Sequence, residues 1–154
     1  MQRHQAAMLG GIIAGVVTTA VMVAGRKSGV LTKTLDRDAV DWIDRMTGSR
    51  AMIGDTGTSI VEFTNHLGAS AAFGAALPAL RDLAPSLSPV ALGTLYGTAL
   101  YAVNIGAIAP VLGITEGEFK AGPRKAGERW AIHVLQAVVT ALVAERLTTP
   151  AWKR

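Results

Sequence analysis

Apolar residues along this chain are gathered into four long runs separated by shorter polar segments. The runs occupy residues 8–24, 59–80, 90–114 and 130–147. A helix needs about 20 predominantly apolar residues to cross the hydrocarbon core of a bilayer, and each run approaches that length. The pattern therefore predicts an all-α integral membrane protein, a single domain (1–154) built as a four-helix transmembrane bundle.

The four predicted spans differ in how clearly the sequence marks them. The first run is uncharged, and the fourth is flanked by Trp130 and Trp152. These tryptophans lie 22 positions apart, about 33 Å along a helix, which matches two interfacial aromatic belts. The second run is the weakest because it carries Glu62, Asn65 and His66.

The segment between the first two runs has a helical pattern of its own. Over residues 36–46, charged positions alternate with apolar ones at near-helical spacing. A helix with one apolar face beside a membrane lies in the interface plane. We therefore predict a short interfacial helix at 36–46, interrupted afterwards by three glycines: Gly48, Gly54 and Gly57.

Composition supports a membrane protein and removes several function classes. Half of the 154 residues are hydrophobic and 17% are charged, whereas soluble domains carry about 25% charged residues. The chain has no cysteine, so disulfides, thiolate metal sites and cysteine nucleophiles are excluded. The net charge of +4 comes from basic residues that flank the apolar runs. That placement is typical of membrane topology, and we predict no nucleic-acid partner.

Lysine and arginine counts predict the orientation. The connections 26–58 and 115–129 together hold ten of these residues, and the rest of the chain holds five. Positive residues favour the cytoplasmic side of a membrane. We therefore expect both connections in the cytoplasm and both termini outside, in a bacterial inner membrane.

Pairs of glycines four residues apart predict close helix packing. Gly11 and Gly15 lie in the first run, with Thr19 placed on the same face, and Gly93 and Gly97 lie in the third. Small residues let helix backbones approach each other in lipid. The contact is either within the bundle, the favoured interpretation, or between copies of the chain. The expected partners are the bilayer and either a second copy or a larger membrane complex.

Ionisable and amide side chains recur at one predicted depth of the bundle. Glu62 and His66 are one helical turn apart and share a face. Spans two and four start from the same side and span three ends there, so their polar groups can meet within one leaflet. The predicted intramembrane cluster contains six residues: Glu62, Asn65, His66, Asn104, His133 and Gln136.

Several chemistries fit such a cluster. Carboxylate and imidazole groups can relay protons. Glu62, His66 and His133 have the atom types that bind zinc, iron or manganese, and the two histidines could be axial ligands of a haem. No HExxH motif supports the metal interpretation. The remaining interpretation is a hydrogen-bond network that locks the bundle, with no cofactor.

Two segments resemble a known family. The first run opens Gly10-Gly-Ile-Ile-Ala-Gly-Val-Val, and the last contains Arg129-Trp-Ala-Ile-His133-Val-Leu-Gln. Both are similar to segments of the small four-span bacterial inner-membrane proteins typified by the YagU-type family. The resemblance implies the four-span architecture and assigns no catalytic residue to this chain.

Three functions follow from these features. The first is a small polytopic membrane protein without catalysis, either an accessory subunit or a stress-related factor. The second is a proton or small-solute transport module that uses the polar cluster, and the third is a haem- or metal-binding membrane protein. No phosphate-binding loop, nucleophile elbow or dinucleotide fingerprint indicates an enzyme.

Overall fold

The computed structural model describes residues 1–31 and 34–148, and all regular secondary structure in these residues is helical. This confirms the predicted all-α class. The prediction for Trp152 falls outside the described residues. The helices are α1 (Arg3–Lys27), α2 (Leu35–Thr47), α3 (Ser49–Leu83), α4 (Pro89–Val103), α5 (Ala109–Val111), α6 (Glu118–Ala121) and α7 (Pro123–Thr148).

Three helical segments of the described chain are long and apolar enough to cross a membrane: Arg3–Lys27, Pro89–Val111 and Pro123–Thr148. They suggest a membrane protein. Helix α3 contains the predicted second span but is not among them. Glu62, Asn65 and His66 lower the mean hydropathy of its apolar stretch. Length and composition therefore support three of the four predicted spans.

The four long helices pack in the order α3, α1, α7, α4, and neighbours in this order run antiparallel. Arg3 at the start of α1 pairs with Asp82 at the end of α3 at 2.7 Å. Helices α3 and α4, at the two ends of this order, make few contacts with each other. One contact is a hydrogen bond in which the Tyr96 hydroxyl donates to the Phe73 carbonyl at 2.7 Å. The bundle is therefore an open ring with a gap between α3 and α4.

The predicted packing glycines contact neighbouring helices of the same chain. Gly11 and Gly15 face α3, where a Cβ on Gly15 would lie 2.8 Å from Ser70 Oγ. Gly93 and Gly97 face α7, and a Cβ on Gly97 would lie 2.6 Å from the carbonyl oxygen of His133. Real Cβ atoms do not approach oxygen so closely, so these contacts depend on glycine having no side chain.

The end of α4 widens into a π-helical turn, Asn104–Ile108. Pro110 follows it, and proline both lacks an N–H and clashes with the carbonyl four residues earlier. The Ala109 N–H instead donates to the Asn104 carbonyl, five residues back, which is the hydrogen bond of a π-helix. Single π turns inside helices recur at functional sites, and this one carries Asn104.

Helix α2 covers the region of residues 36–46 and packs against the start of α3. We call this end of the bundle, where α1 ends and α3 and α7 begin, the α2 end. Gly48 ends α2 with a left-handed φ of 67°, and Gly54 has the same φ at a kink inside α3. Gly57, predicted to interrupt the chain, stays helical.

Candidate functional site

A buried hydrogen-bond network joins α1, α3 and α7 near the middle of the bundle. Thr18 is completely buried and Gln136 is 9% exposed. The Thr18 hydroxyl donates to Gln136 Oε1 at 2.8 Å, and Gln136 Nε2 donates to the Gly11 carbonyl at 3.1 Å. His66 Nε2 lies 3.2 Å from Thr18 Oγ1 and 3.2 Å from the Gly15 carbonyl.

The partners of His66 define where its protons lie. The Thr18 hydroxyl has one hydrogen, and when it goes to Gln136 the oxygen accepts from His66 Nε2. The Gly15 carbonyl on the same side can only accept. The other ring nitrogen, Nδ1, lies 3.1 Å from Asp36 Oδ2. Both nitrogens therefore face acceptors, an arrangement that suits an imidazolium ion paired with Asp36.

The structure brings together only part of the predicted cluster. His66 and Gln136 belong to the network, whereas Glu62 pairs with Arg37 of α2 at 3.2 Å. Glu62 lies one turn nearer the α2 end than His66, which puts it within reach of α2. Asn65 is exposed on the outside of the bundle, because it is one position, about 100° of helix rotation, away from His66.

Beside the network is a cavity of about 270 Å³ between α3, α4 and α7. Its walls are mostly apolar and include Phe73, Leu100 and Ile132. His66, Asn104, His133 and Gln136, four of the six predicted cluster residues, line it as well. The cavity occupies the gap in the ring, and α2 covers it at the α2 end.

A buried arginine forms part of the cavity wall near α2. The Arg129 side chain is 6% exposed and bonds Asp38 Oδ2 at 3.0 Å and Glu118 Oε1 at 2.6 Å. The two carboxylates bind its terminal nitrogens. Its Nε is buried without a hydrogen-bond partner among the described residues. An unpaired buried donor of this kind is costly.

His133 adds a second polar group to the same wall. Its Nδ1 lies 2.8 Å from the Arg129 carbonyl one turn earlier. A carbonyl only accepts, so Nδ1 carries the proton and, in the neutral ring, Nε2 is an acceptor. The ring stands edge-on to Tyr101 at a centroid distance of 6.0 Å. The Tyr101 hydroxyl donates to Glu118 at 2.8 Å, which connects α4 to the arginine cluster.

Further ion pairs fasten α2 to the bundle. Asp41 bonds the Arg50 guanidinium at 2.6 Å, and Asp44 accepts from the Arg50 backbone N–H at 2.6 Å. The hydrogen bond to Asp41 raises the pKa of Arg50 above its ordinary value. Together with Asp36 and Asp38, four acidic residues of α2 thus contact α3 or α7, which holds the helix over the cavity.

The geometry offers little to a metal ion. Within residues 1–31 and 34–148, no three histidine, aspartate or glutamate side chains surround a common position. Glu62, His66 and His133, the predicted ligands, contact different partners. Both His66 nitrogens already have acceptors, so metal or haem ligation by His66 would require breaking these bonds.

Five residues that complete the site are not among the predicted ones: Thr18, Asp36, Asp38, Glu118 and Arg129. The predicted packing face contains Thr19 beside Gly11 and Gly15, but Thr18 is the buried residue, because positions 11, 15 and 18 follow the i, i+4, i+7 stripe of one helix face. From the sequence alone, Arg129 reads as a loop charge. Its position four residues before His133, on the same face, is the signal that identifies it.

No protein-family model matches the chain, and no curated protein or solved structure is significantly similar to it.

Proposed function

We propose that this chain is a four-span inner-membrane protein that acts without catalysis, by holding a small molecule in the cavity between α3, α4 and α7. The observation that carries the proposal is the cavity itself, an apolar space with four of the predicted polar residues on its wall. Such a combination is what small-molecule sites have in common. An accessory or stress-related role fits a protein of this kind.

The proposal includes α3 as the fourth span. The hydrophobic side chains of Ile60 and Phe63 are 61% and 44% exposed, as is appropriate for contact with lipid. His66 turns inward to the network, and Glu62 is paired. Polar groups inside a membrane are tolerated when they face the bundle interior and have partners.

Cysteine labelling tests the four-span topology, and the absence of native cysteines makes single-cysteine variants free of background. We expect Ser28→Cys and Glu116→Cys to react with an impermeant maleimide from one side of the membrane. Gln2→Cys and Ser86→Cys should react from the other side. The comparison of sealed right-side-out and inverted vesicles gives the measurement. Labelling of Ser28→Cys and Ser86→Cys from the same side would show that α3 does not cross.

The extent of the hydrogen-bond network favours small-molecule binding over proton conduction through the bundle. In the described residues its bonds run from Asp36 to His66, Thr18 and Gln136 and stop at the Gly11 carbonyl. Beyond it lie the apolar side chains of Ala7, Leu77, Leu92 and Ala141, which also line a second pocket with Arg3, Arg81 and Glu145 at the far end of the bundle. A proton path needs hydrogen-bonding groups throughout the membrane, and the four apolar side chains separate the network from these charged groups.

Filling the cavity should remove bound small molecules. We expect native mass spectrometry of the wild-type protein, released from detergent, to show a small-molecule adduct. Leu100→Trp, which places an indole in the cavity, should lose the adduct. Leu95→Trp puts the same residue at a position that is 51% exposed, and it should retain the adduct. If the adduct is missing from the wild type, or present in all three proteins, the binding function is wrong.

A further inference from the structure

Some polar groups of the cavity wall have hydrogen-bond partners within the described residues, and others have none. Arg129 Nε is a donor without an acceptor in residues 1–31 and 34–148, and it has no surface open to the cavity. Asn104 lines the cavity from the π turn, and its side chain has no hydrogen bond to any part of the chain that the structure describes. His133 Nε2 is an acceptor beside them. The wall therefore offers donors and acceptors on two helices, α7 and the end of α4.

The charges around these groups disfavour an anionic ligand. The Arg129 cation is already bonded to two carboxylates, those of Asp38 and Glu118. The ion pair of His66 with Asp36 is balanced. Counted with the pair of Glu128 and Arg124 at the same wall, these groups have one negative charge more than positive ones, and a carboxylate or phosphate would meet repulsion there. A neutral ligand avoids this repulsion.

The size and the apolar walls of the cavity favour a ligand that contains a ring. An apolar cavity of about 150 Å³ is enough to hold benzene, and this cavity is almost twice as large at about 270 Å³. Phe73 and Leu100 supply apolar surface on the two helices that border the gap. The gap between α3 and α4 leaves an exit through which a hydrocarbon chain can extend from the ring into the lipid.

We infer that the cavity binds the head ring of a lipid-soluble quinone. The ring lies among the apolar walls, and one of its carbonyl oxygens accepts from the Asn104 amide. In the quinol form, a hydroxyl can donate to His133 Nε2 instead. The prenyl chain leaves between α3 and α4. This inference rests on the proposed binding function, and it adds the ligand class and the residues that recognise it.

Decylubiquinone is the probe for this inference. We expect it to bind the delipidated protein, as an adduct of the corresponding mass and as quenching of tryptophan fluorescence. Asn104→Leu keeps the size of the side chain and removes its amide. It should raise the dissociation constant roughly threefold to tenfold, the effect of one hydrogen bond. Asn65→Leu makes the same change on the exposed outer surface and should leave binding unchanged.

Competition separates the ligand class from the existence of the site. Oleate, which is anionic, should not displace decylubiquinone, and dioleoylglycerol, which is neutral but has no ring, should displace it poorly. Equal or better binding of either lipid would overturn the quinone assignment. A native adduct that is lost in Leu100→Trp but is not displaced by decylubiquinone would leave the cavity site intact and show that its ligand is not a quinone. Unchanged binding in Asn104→Leu would remove Asn104 from recognition.

Discussion

Replacing Arg129 with methionine is expected to lower the free energy of unfolding by about 3–5 kcal/mol, the cost of removing one partner from a buried ion pair. Asp38 and Glu118, whose side chains are 13% and 17% exposed, would lose their shared cation. The loss would loosen the contacts of α2 and α6 with α7. In thermal unfolding, the midpoint should fall by roughly 10 °C for a chain of this size.

Arg3 provides the control for this prediction. It pairs with Asp82 at 2.7 Å, and the two side chains are 53% and 63% exposed. Exposed pairs of this kind contribute between about 0 and 1 kcal/mol, so Arg3→Met should barely change the midpoint. Removing the two carboxylates as well, with Asp38→Asn and Glu118→Gln, should recover part of the stability lost in Arg129→Met. Equal effects of Arg3→Met and Arg129→Met would contradict the buried cluster.

The second large effect is expected at Thr18. Thr18→Val keeps the shape of the side chain and removes the hydroxyl, which leaves Gln136 Oε1 without its donor and His66 Nε2 with one acceptor fewer. An unsatisfied buried group costs about 1–3 kcal/mol. We expect a loss of that size in the free energy of unfolding, measured by titration with a denaturing detergent.

A double-mutant cycle distinguishes the network from simple packing. Replacing both partners by apolar groups costs less than leaving one unpaired, so Thr18→Val combined with Gln136→Leu should lose less than the sum of the two single changes. The neighbouring Thr19 is half-buried and outside the network, and Thr19→Val should have little effect. Strict additivity of the two changes would mean that Thr18 and Gln136 are not energetically coupled.

The Asp36–His66 pair and the Asp38–Arg129 pair connect α2 to two walls of the cavity. Asp36 and Asp38 lie two positions apart, about 200° around the helix, so they reach different neighbours. Asp36 reaches His66 on α3, and Asp38 reaches Arg129 on α7. One short helix thereby joins both sides of the cavity at the α2 end. Both of these contacts are charged, so the position of α2 over the cavity depends on ion pairs in addition to the packing of Val40, which is 4% exposed.

The sequence alone determined the helical class and three helical segments that are long and apolar enough to cross a membrane. That information is local, since it depends on the length of each apolar run and on the residues that interrupt it. The same local reasoning identified the glycines at 11, 15, 93 and 97 as positions of close approach. It also located the helix at residues 36–46, from the spacing of its apolar residues.

Only the tertiary structure decided which polar residues meet. Glu62 and His66 share a helix face, yet Glu62 contacts Arg37 and His66 contacts Thr18. Arg129 reads as a loop charge, yet it is buried between carboxylates from two other helices. These partners lie between 11 and 91 residues away along the chain, and the packing of the helices brings them together. No periodicity within one segment encodes that packing, so the site followed from tertiary structure and the long apolar helices from composition.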